Sequence, residues 1–527
     1  MVRPEDVAKM NPWWSLGLGF AADDKDLAKL NSSIFKFRRG MPELKLGNIY
    51  VIKGPRRVGK TLFLKSLVLE LLEKGVDKLS IFYYSLDSVK SSNELSNMLH
   101  DFLGNLGRGT RYILLDEAQS VEGWEKVIQA FANEGLLKNA ITIVTGSLAH
   151  VLRQELMPGR GTEGNTYLMR PIPFGEFCLE LLSLLQNQPR KQGKQGKDLK
   201  SSQNDMSKIS SPQYDAFAHM LGDEALHAEL LNALATTRIS LEESIEEIYA
   251  KANALVPYAN PLKKMFNAYM RTGGYPASIN SFFQELTNKP QFSIAQQIFE
   301  ELYLYAKNDA ATLAGAGKSG NPVFAEAVLR STLEHIGENI SYTKLSKSAS
   351  MNTKTFIEYS ERLRESYVFL ALSGINKNLE QIRLKKVYFA DPLLHYSVGS
   401  AYTGLEPNRY ADAILNSGAV GIVAEEIVAS HLAQTKEDEP MRRYDTYLHF
   451  LKDKKEMDFV YKRNDGSYLG IEVKYQNSIS AKNDLYSIDG IDENIIISKD
   501  TMEKGEDYIT LPAYLLLAAL EKSKKDL

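Results

Sequence analysis

Eight consecutive residues, Gly54-Pro55-Arg56-Arg57-Val58-Gly59-Lys60-Thr61, follow the pattern G-x-x-x-x-G-K-[ST]. The chemistry of such a loop is phosphate binding. Its glycines let backbone N–H groups curl around phosphate oxygens. The helix N-terminus that follows adds a partial positive charge. A lysine at position 60 reaches the β- and γ-phosphates, and the Thr61 hydroxyl ligates Mg²⁺. The phosphate-binding set is thus Gly54, Pro55, Arg56, Arg57, Val58, Gly59, Lys60, Thr61 and Leu62. The pattern arises by chance in roughly 2% of chains this long, so context decides. Here the apolar run NIYVIK precedes it and LFLKSLVLELLEK follows, which is the required strand–loop–helix order.

A nucleotide site of this kind needs a second, acidic half. YILLDEAQ supplies Asp116 and Glu117 after four apolar residues, at the carboxyl end of a buried strand, where ligands bind in such sheets. Asp116 is expected to hold Mg²⁺ through water, and Glu117 to polarise the attacking water. The strand ITIVTGS ends in Thr145 and Ser147, and a polar residue at that tip either senses the γ-phosphate or forms a turn. Asp87, at the tip of IFYYSLD, is a further candidate to face the metal.

The elements that must position these groups are legible. NIYVIK (48–53), LSIFYYSL (79–86), RYILLD (111–116) and AITIVTG (140–146) read as strands separated by helical stretches. Apolar runs of this kind argue for an α/β fold: a parallel sheet covered by helices on both faces. The strand IFYYSLD, between the loop strand and the acidic strand, is read as the insertion typical of additional-strand ATPases with a catalytic glutamate. Residues 1–47 form a helical lead-in and 48–185 the ATPase core. The stretch 186–212 carries six basic and two acidic residues and almost no large apolar ones, so a disordered insertion is expected. It is either a solvated tail or a basic nucleic-acid contact. Residues 213–320 are helical, interrupted by the Gly-Gly turn of YMRTGGYPAS.

From 321 to 410 the order is helix, two helices around the polar turn SMNT, then the strands FLALSGI and LKKVYFA. This order resembles a winged helix-turn-helix, with the helix from about Thr353 to Tyr367 in the recognition position. Asn352, Thr353, Lys354, Arg362 and Arg364 lie there and could read DNA, or the unit could only bridge domains. Residues 411–527 form a smaller α/β unit.

The whole composition sets bounds. The chain has 527 residues, a net charge of −3 and one cysteine, Cys178. That length suggests roughly three domains at about 150 residues each. No intrachain disulfide is possible, and a cytoplasmic location is expected. No run approaches the ~20 apolar residues of a membrane span. Mean hydropathy and composition exclude a secreted mini-protein, an integral membrane protein, a fibre and a disordered chain. Any nucleic-acid contact must come from a local basic face.

GPRRVGKT, LLDEAQSVEGWEKVI, VTGS, MPGRG and RPIPFGEF occur in this order. Together they resemble the AAA-type P-loop ATPases of archaea and bacteria that carry a C-terminal winged helix and a PD-(D/E)XK restriction-endonuclease-like domain. The resemblance implies an arginine finger or sensor at Arg160. It also implies a homo-oligomer, and DNA as a partner. In the C-terminal unit it points to Glu425, Asp458 and Glu472 as Mg²⁺-holding carboxylates, with Lys474 orienting or deprotonating water. Glu426 is the alternative to Glu425.

The carboxylate pattern alone recurs about twice by chance in a chain this size, so its geometry matters. EMDFVYKR and SYLGIEVKY flank Asn464-Asp465-Gly466, a hairpin signal. A three-residue loop pairs Arg463 with Ser467 and brings Asp458 beside Glu472. A two-residue loop pairs Asp458 with Val473 and spoils the site, unless a bulge restores it. The expected function is Mg-ATP binding and hydrolysis coupled to DNA binding or cleavage. The alternative is an ATP-dependent switch whose nuclease-like unit is an inactive platform. A transport or chaperone ATPase is a third reading, for which no aromatic pore loop is present.

Overall fold

The computed structural model describes residues 4–523, except 38, 41, 105–108, 148–164, 187–220, 222–223, 286–292, 313–319, 437–442, 478 and 480–487. Arg160, the MPGRG segment and the expected insertion after Gln186 lie outside the described residues.

The four expected N-terminal strands form, as β1 (Ile49–Lys53), β2 (Ile81–Ser85), β3 (Arg111–Asp116) and β4 (Ala140–Gly146), joined by a short β5 (Thr166–Leu168). All pair in parallel, in the order β2-β3-β4-β1-β5. This order corrects one expectation. The strand inserted between the loop strand and the acidic strand is β4, not IFYYSLD, which lies on the sheet's outer edge as β2. Every residue of β1 and β4 is buried, so both suit the sheet's interior. The edge of β2 is closed by the helical lead-in. The Asn11 amide donates to the Tyr83 carbonyl at 2.9 Å and accepts from the Tyr83 N–H at 2.7 Å. One side chain thus mimics a further strand and satisfies an otherwise open edge.

The C-terminal half contains β6 (Ile340–Ser341), β7 (Phe369–Ile375), β8 (Gln381–Phe389), β9 (Leu448–Lys452), β10 (Glu456–Lys462), β11 (Tyr468–Lys474), β12 (Glu493–Ser498), β13 (Glu503–Lys504) and β14 (Tyr508–Pro512). All nine belong to one sheet, in the order β13-β14-β12-β11-β10-β9-β7-β8-β6. The units that the sequence separates at 410 are therefore hydrogen-bonded together. The parallel pair β7–β9 joins them, with Ser373 opposite His449 and Ile375 opposite Leu451. Helices Pro322–Glu334, Tyr342–Ser348 and Thr353–Glu365 precede β7, and helix Val420–Leu432 precedes β9.

One continuous apolar core runs from the first sheet to the C-terminal helix Ala513–Ala519. Where the ATPase core ends, the Phe174 N–H donates to His431 Nε2 at 2.9 Å, on the helix Val420–Leu432. Burial pushes the His431 imidazole down to about 4, so it stays neutral and keeps this acceptor. Beside it, the Gly273-Gly274 turn explains its own residue types. Gly273 has φ +59° and a Cβ there would meet the Asp391 carboxylate at 2.0 Å; a Cβ on Gly274 would meet the Ile172 carbonyl at 2.3 Å. The Asp391 carboxylate instead accepts from the Gly274 N–H at 2.8 Å and caps the helix Pro392–Thr403 through the Leu393 N–H at 2.9 Å.

Candidate functional site

Parallel register brings the carboxyl ends of β1, β3 and β4 to one edge, with Lys53 opposite Gly146 and Leu115 opposite Val144. The glycine loop leaves β1 at that edge. A Cβ on Gly54 would lie 1.9 Å from the Met169 carbonyl, so only glycine passes. Gly59 adopts φ +106° and turns the chain into the helix Lys60–Glu73. Lys60 is buried and its ammonium donates to the carbonyls of Gly54 at 3.0 Å and Pro55 at 2.8 Å. Thr61 donates its hydroxyl to Asp116 Oδ2 at 2.6 Å. Tyr83 donates to the same oxygen at 3.2 Å, and Thr145 donates to Asp116 Oδ1. Burial, then the Asp116 carboxylate, push the Tyr83 phenol up, so it remains a donor. A buried carboxylate tied to the first helical hydroxyl, beside a glycine cradle, fits a Mg²⁺–nucleotide in residue type and placement.

Glu117 follows with φ +53°, a strained value for a non-glycine residue, and such strain clusters at functional sites. Its N–H donates to Asp116 Oδ1 at 3.1 Å. Its carboxylate accepts from the Gln119 amide, which also donates to Ser147 Oγ at 3.0 Å and accepts from the Ser147 N–H at 3.3 Å. Gln119 therefore clamps the two residues that the sequence nominated for water and phosphate. Sequence reasoning passed over it, although it stands two residues after Glu117 in the motif itself. Asp87 accepts from Ser120 on the surface instead of facing Asp116. The loop opens on a cleft of about 1150 Å³ that also touches Phe35, Asn280 and Ile298. Arg57 of the loop pairs with Glu301 across it.

The second constellation assembles at the β10–β11 hairpin. Phe459 faces Ile471 and Lys462 faces Tyr468, and the Arg463 N–H donates to the Ser467 carbonyl at 2.8 Å. The three-residue loop register is the one present, and Asp458 lies beside Glu472. The Asp458 N–H donates to Glu472 Oε2 at 3.1 Å, and Asp458 Oδ2 accepts from the Val473 N–H at 2.9 Å. Lys474 donates to Glu472 Oε1 at 2.6 Å. Glu425 faces this group and accepts from Tyr388; Glu426 points away, to His395 at 2.7 Å and the Phe389 N–H at 3.0 Å.

Among the described residues, however, no three His, Cys, Asp or Glu side chains converge as a cation site. Among the expected carboxylates Glu425, Asp458 and Glu472 stands Lys386, which the sequence reading missed. Its ammonium lies 2.7 Å from Asp458, 2.8 Å from Glu425 and 3.0 Å from Glu456. The signal was a lysine on β8 sharing a face with buried Tyr388. Burial pushes Glu425 and Glu472 up, each to about 7, with the Asp458 charge second.

The nominated DNA-reading residues are largely committed elsewhere. Asn352 caps the helix Thr353–Glu365 through the Lys354 N–H, and Thr353 bonds Ser346 at 2.8 Å. Arg362 is buried, pairs with Glu358 and donates to the Ala310 carbonyl at 3.3 Å. Arg364 pairs with Glu361 and reaches Asp445 at 2.8 Å. The helix exposes Lys354, Ile357 and Glu358.

Comparison with known proteins agrees with the first site. Residues 47–178 match the AAA domain family AAA_14, and residues 263–407 match a domain of unknown function, DUF8612. An uncharacterized protein of Haemophilus influenzae is 31% identical over 137 residues, covering 24% of this chain and 32% of that protein. The chain thus spans about a third of the length of that curated relative. Similar solved structures include Cdc6p from Pyrobaculum aerophilum, at 14% identity and a TM-score of 0.24, over 81% of this chain and 97% of that one. Another is Orc1 from Aeropyrum pernix in complex with DNA, at 12% identity and a TM-score of 0.29, over 77% and 95% of the two chains. A third is Drosophila ORC bound to DNA, at 11% identity and a TM-score of 0.21, over 63% and 84%. The chain carries an AAA domain of P-loop ATPase type at residues 47–178. Among the described residues, no single helix is long and apolar enough to cross a membrane.

Proposed function

We propose that the protein binds and hydrolyses Mg-ATP and uses the cycle to switch its C-terminal half, read as a winged-helix and nuclease-like unit, between states. One observation carries the reading: Lys60, Thr61, Asp116, Glu117 and Ser147 converge at one edge of the parallel sheet, beside an open cleft. Lys60 exchanges its two loop carbonyls for phosphate oxygens. Thr61 and Asp116 hold the Mg²⁺, which when bound neutralises charge on the phosphates. Glu117 orients the attacking water and Ser147 marks the γ-phosphate end. Arg160 belongs to the proposal as the arginine finger, delivered from the same chain or from a neighbouring copy. Lys60→Ala is expected to abolish nucleotide binding or turnover, and Glu117→Gln to bind ATP but stall hydrolysis. Full turnover in both variants overturns the assignment.

A second reading, DNA binding rather than cleavage, rests on the sheet. Because β7 and β9 run parallel, their following turns leave it at the same end. Those turns expose Lys377, Lys454 and Lys455, with Glu380 and half-buried Asp453 among them. Three phosphate contacts give a log–log salt slope of roughly −3 on duplex DNA. Binding that is unchanged in a Lys454→Glu/Lys455→Glu double variant removes this reading and leaves the ATP switch standing.

A further inference from the structure

The nuclease-like unit raises a charge problem that its own chain solves. Glu425, Glu456, Asp458 and Glu472 are brought together; Asp458 and Glu472 are each 9% exposed, and the Glu425 and Glu456 side chains 18% and 30%. Carboxylates so placed need a cation, because burying unpaired charge is expensive. In nucleases of this pattern the cation is divalent. Here Lys386 reaches in from β8, a strand of the preceding unit, with its side chain 2% exposed.

Its ammonium has three N–H donors and no acceptor. Asp458 Oδ1, Glu425 Oε1 and Glu456 Oε1 lie at 2.7, 2.8 and 3.0 Å, one for each donor. Most of the remaining oxygens are engaged as well, and Glu425 Oε1 also takes the Tyr388 hydroxyl. Asp458 Oδ2 takes the Val473 N–H, Glu456 Oε2 takes the Asn339 amide, and Glu472 takes Lys474 and the Asp458 N–H. The carboxylates are therefore spaced for N–H···O bonds of 2.7–3.0 Å. Mg²⁺ demands ligands at about 2.0–2.1 Å in near-octahedral array and retains several waters. The centre does not fit that ion, because a tethered cation fills it.

We propose that Lys386 takes the place of the divalent cation, so that the nuclease-like centre is a closed ion-pair lock between the two halves of the nine-stranded sheet. The inference rests on the nuclease-like reading of the C-terminal unit and is independent of the ATP site. A lock of this kind would keep the hairpin register and the helix bearing Glu425 in place without metal. It would also leave the centre unable to take up Mg²⁺ or Mn²⁺ while Lys386 is in position.

The test titrates full-length protein with Mn²⁺ and no nucleotide, following bound metal by electron paramagnetic resonance and stability by thermal melting. Wild type, Asp458→Asn, Lys386→Met and Lys386→Gln are compared, and only Asp458-dependent binding is counted. The expected result is no such binding in wild type. One Mn²⁺ should bind in Lys386→Met or Lys386→Gln, at least roughly a hundredfold tighter than in wild type, given the size of a buried charge coupling. Mn²⁺ should also raise the melting temperature of those variants alone. Asp458-dependent Mn²⁺ binding in wild type overturns the proposal. So does absence of binding in both folded Lys386 variants. ATP turnover, measured separately on the same four proteins, is expected to remain. Its loss in wild type would count against the ATPase reading and leave the lock untouched.

Discussion

Asp391→Asn isolates one proton in the stability of the whole chain. Asp391 is fully buried where the Gly273-Gly274 turn meets the helix Pro392–Thr403, and burial pushes its carboxyl from 3.8 up to about 7. The Gly274 and Leu393 N–H groups pull the other way, and the Glu426 charge adds a smaller upward push. The folded state thus holds a proton that the unfolded chain releases. Its contribution to stability is fully present below pH 4 and is lost as pH rises through 7. A shift of about three units is worth roughly 4 kcal/mol, with a limiting slope near 1.4 kcal/mol per pH unit. Asparagine removes the titration, but its NH2 cannot accept from the second of the two backbone N–H groups, which costs about 1–3 kcal/mol at every pH. The variant is therefore expected to be less stable than wild type at pH 4.5 and to gain on it by roughly 3 kcal/mol between pH 4.5 and pH 8. Urea unfolding from pH 4.5 to 8 measures this. The difference between the two proteins is the observable, because buried His431 titrates in the same window with the opposite sign. Parallel stability curves, or a difference that moves against the variant as pH rises, would refute the assignment of a protonated Asp391.

Two further outcomes follow from the same geometry. Gly273→Ala should destabilise by several kcal/mol, because it combines a left-handed φ with a Cβ driven into the Asp391 carboxylate; a change under about 1 kcal/mol in a urea melt would contradict this. Gln119→Leu frees Glu117 and Ser147 from their clamp, so steady-state assays should show ATP turnover raised about two- to tenfold with nucleotide affinity unchanged, and a fall in turnover would make Gln119 a positioning residue instead.

What could be read in the sequence was local. The glycine loop, Asp116 and the β10–β11 hairpin were legible because spacing of a few residues determines each, whereas the hairpin's register stayed open between a two- and a three-residue loop until the strands were paired. The order of strands in the first sheet was not, since nothing in IFYYS or AITIVTG says which one lies beside β1. Arg362 and Arg364 looked available for DNA because each helix has an outer face. Arg364 in fact turns toward Asp445, which is 81 residues away in the chain. Lys386 was hidden for the same reason. Its nearest carboxylates are contributed by elements 39 to 72 residues later, and only the fused sheet brings them to it.

That fusion bears on how the C-terminal half can be taken apart. A fragment beginning at 411 would uncover the β9 edge, leaving unpaired N–H and C=O groups in a row. Open edges of this sort recruit other chains and aggregate. The same cut would remove the ammonium from among three carboxylates and leave their charges facing one another. The converse fragment, ending at 410, would strip Lys386 of its three carboxylate partners and of the elements that cover it. Neither piece is a module that recombination could exchange for another, and the two segments are expected to be inherited, and to fold, as a single cooperative body.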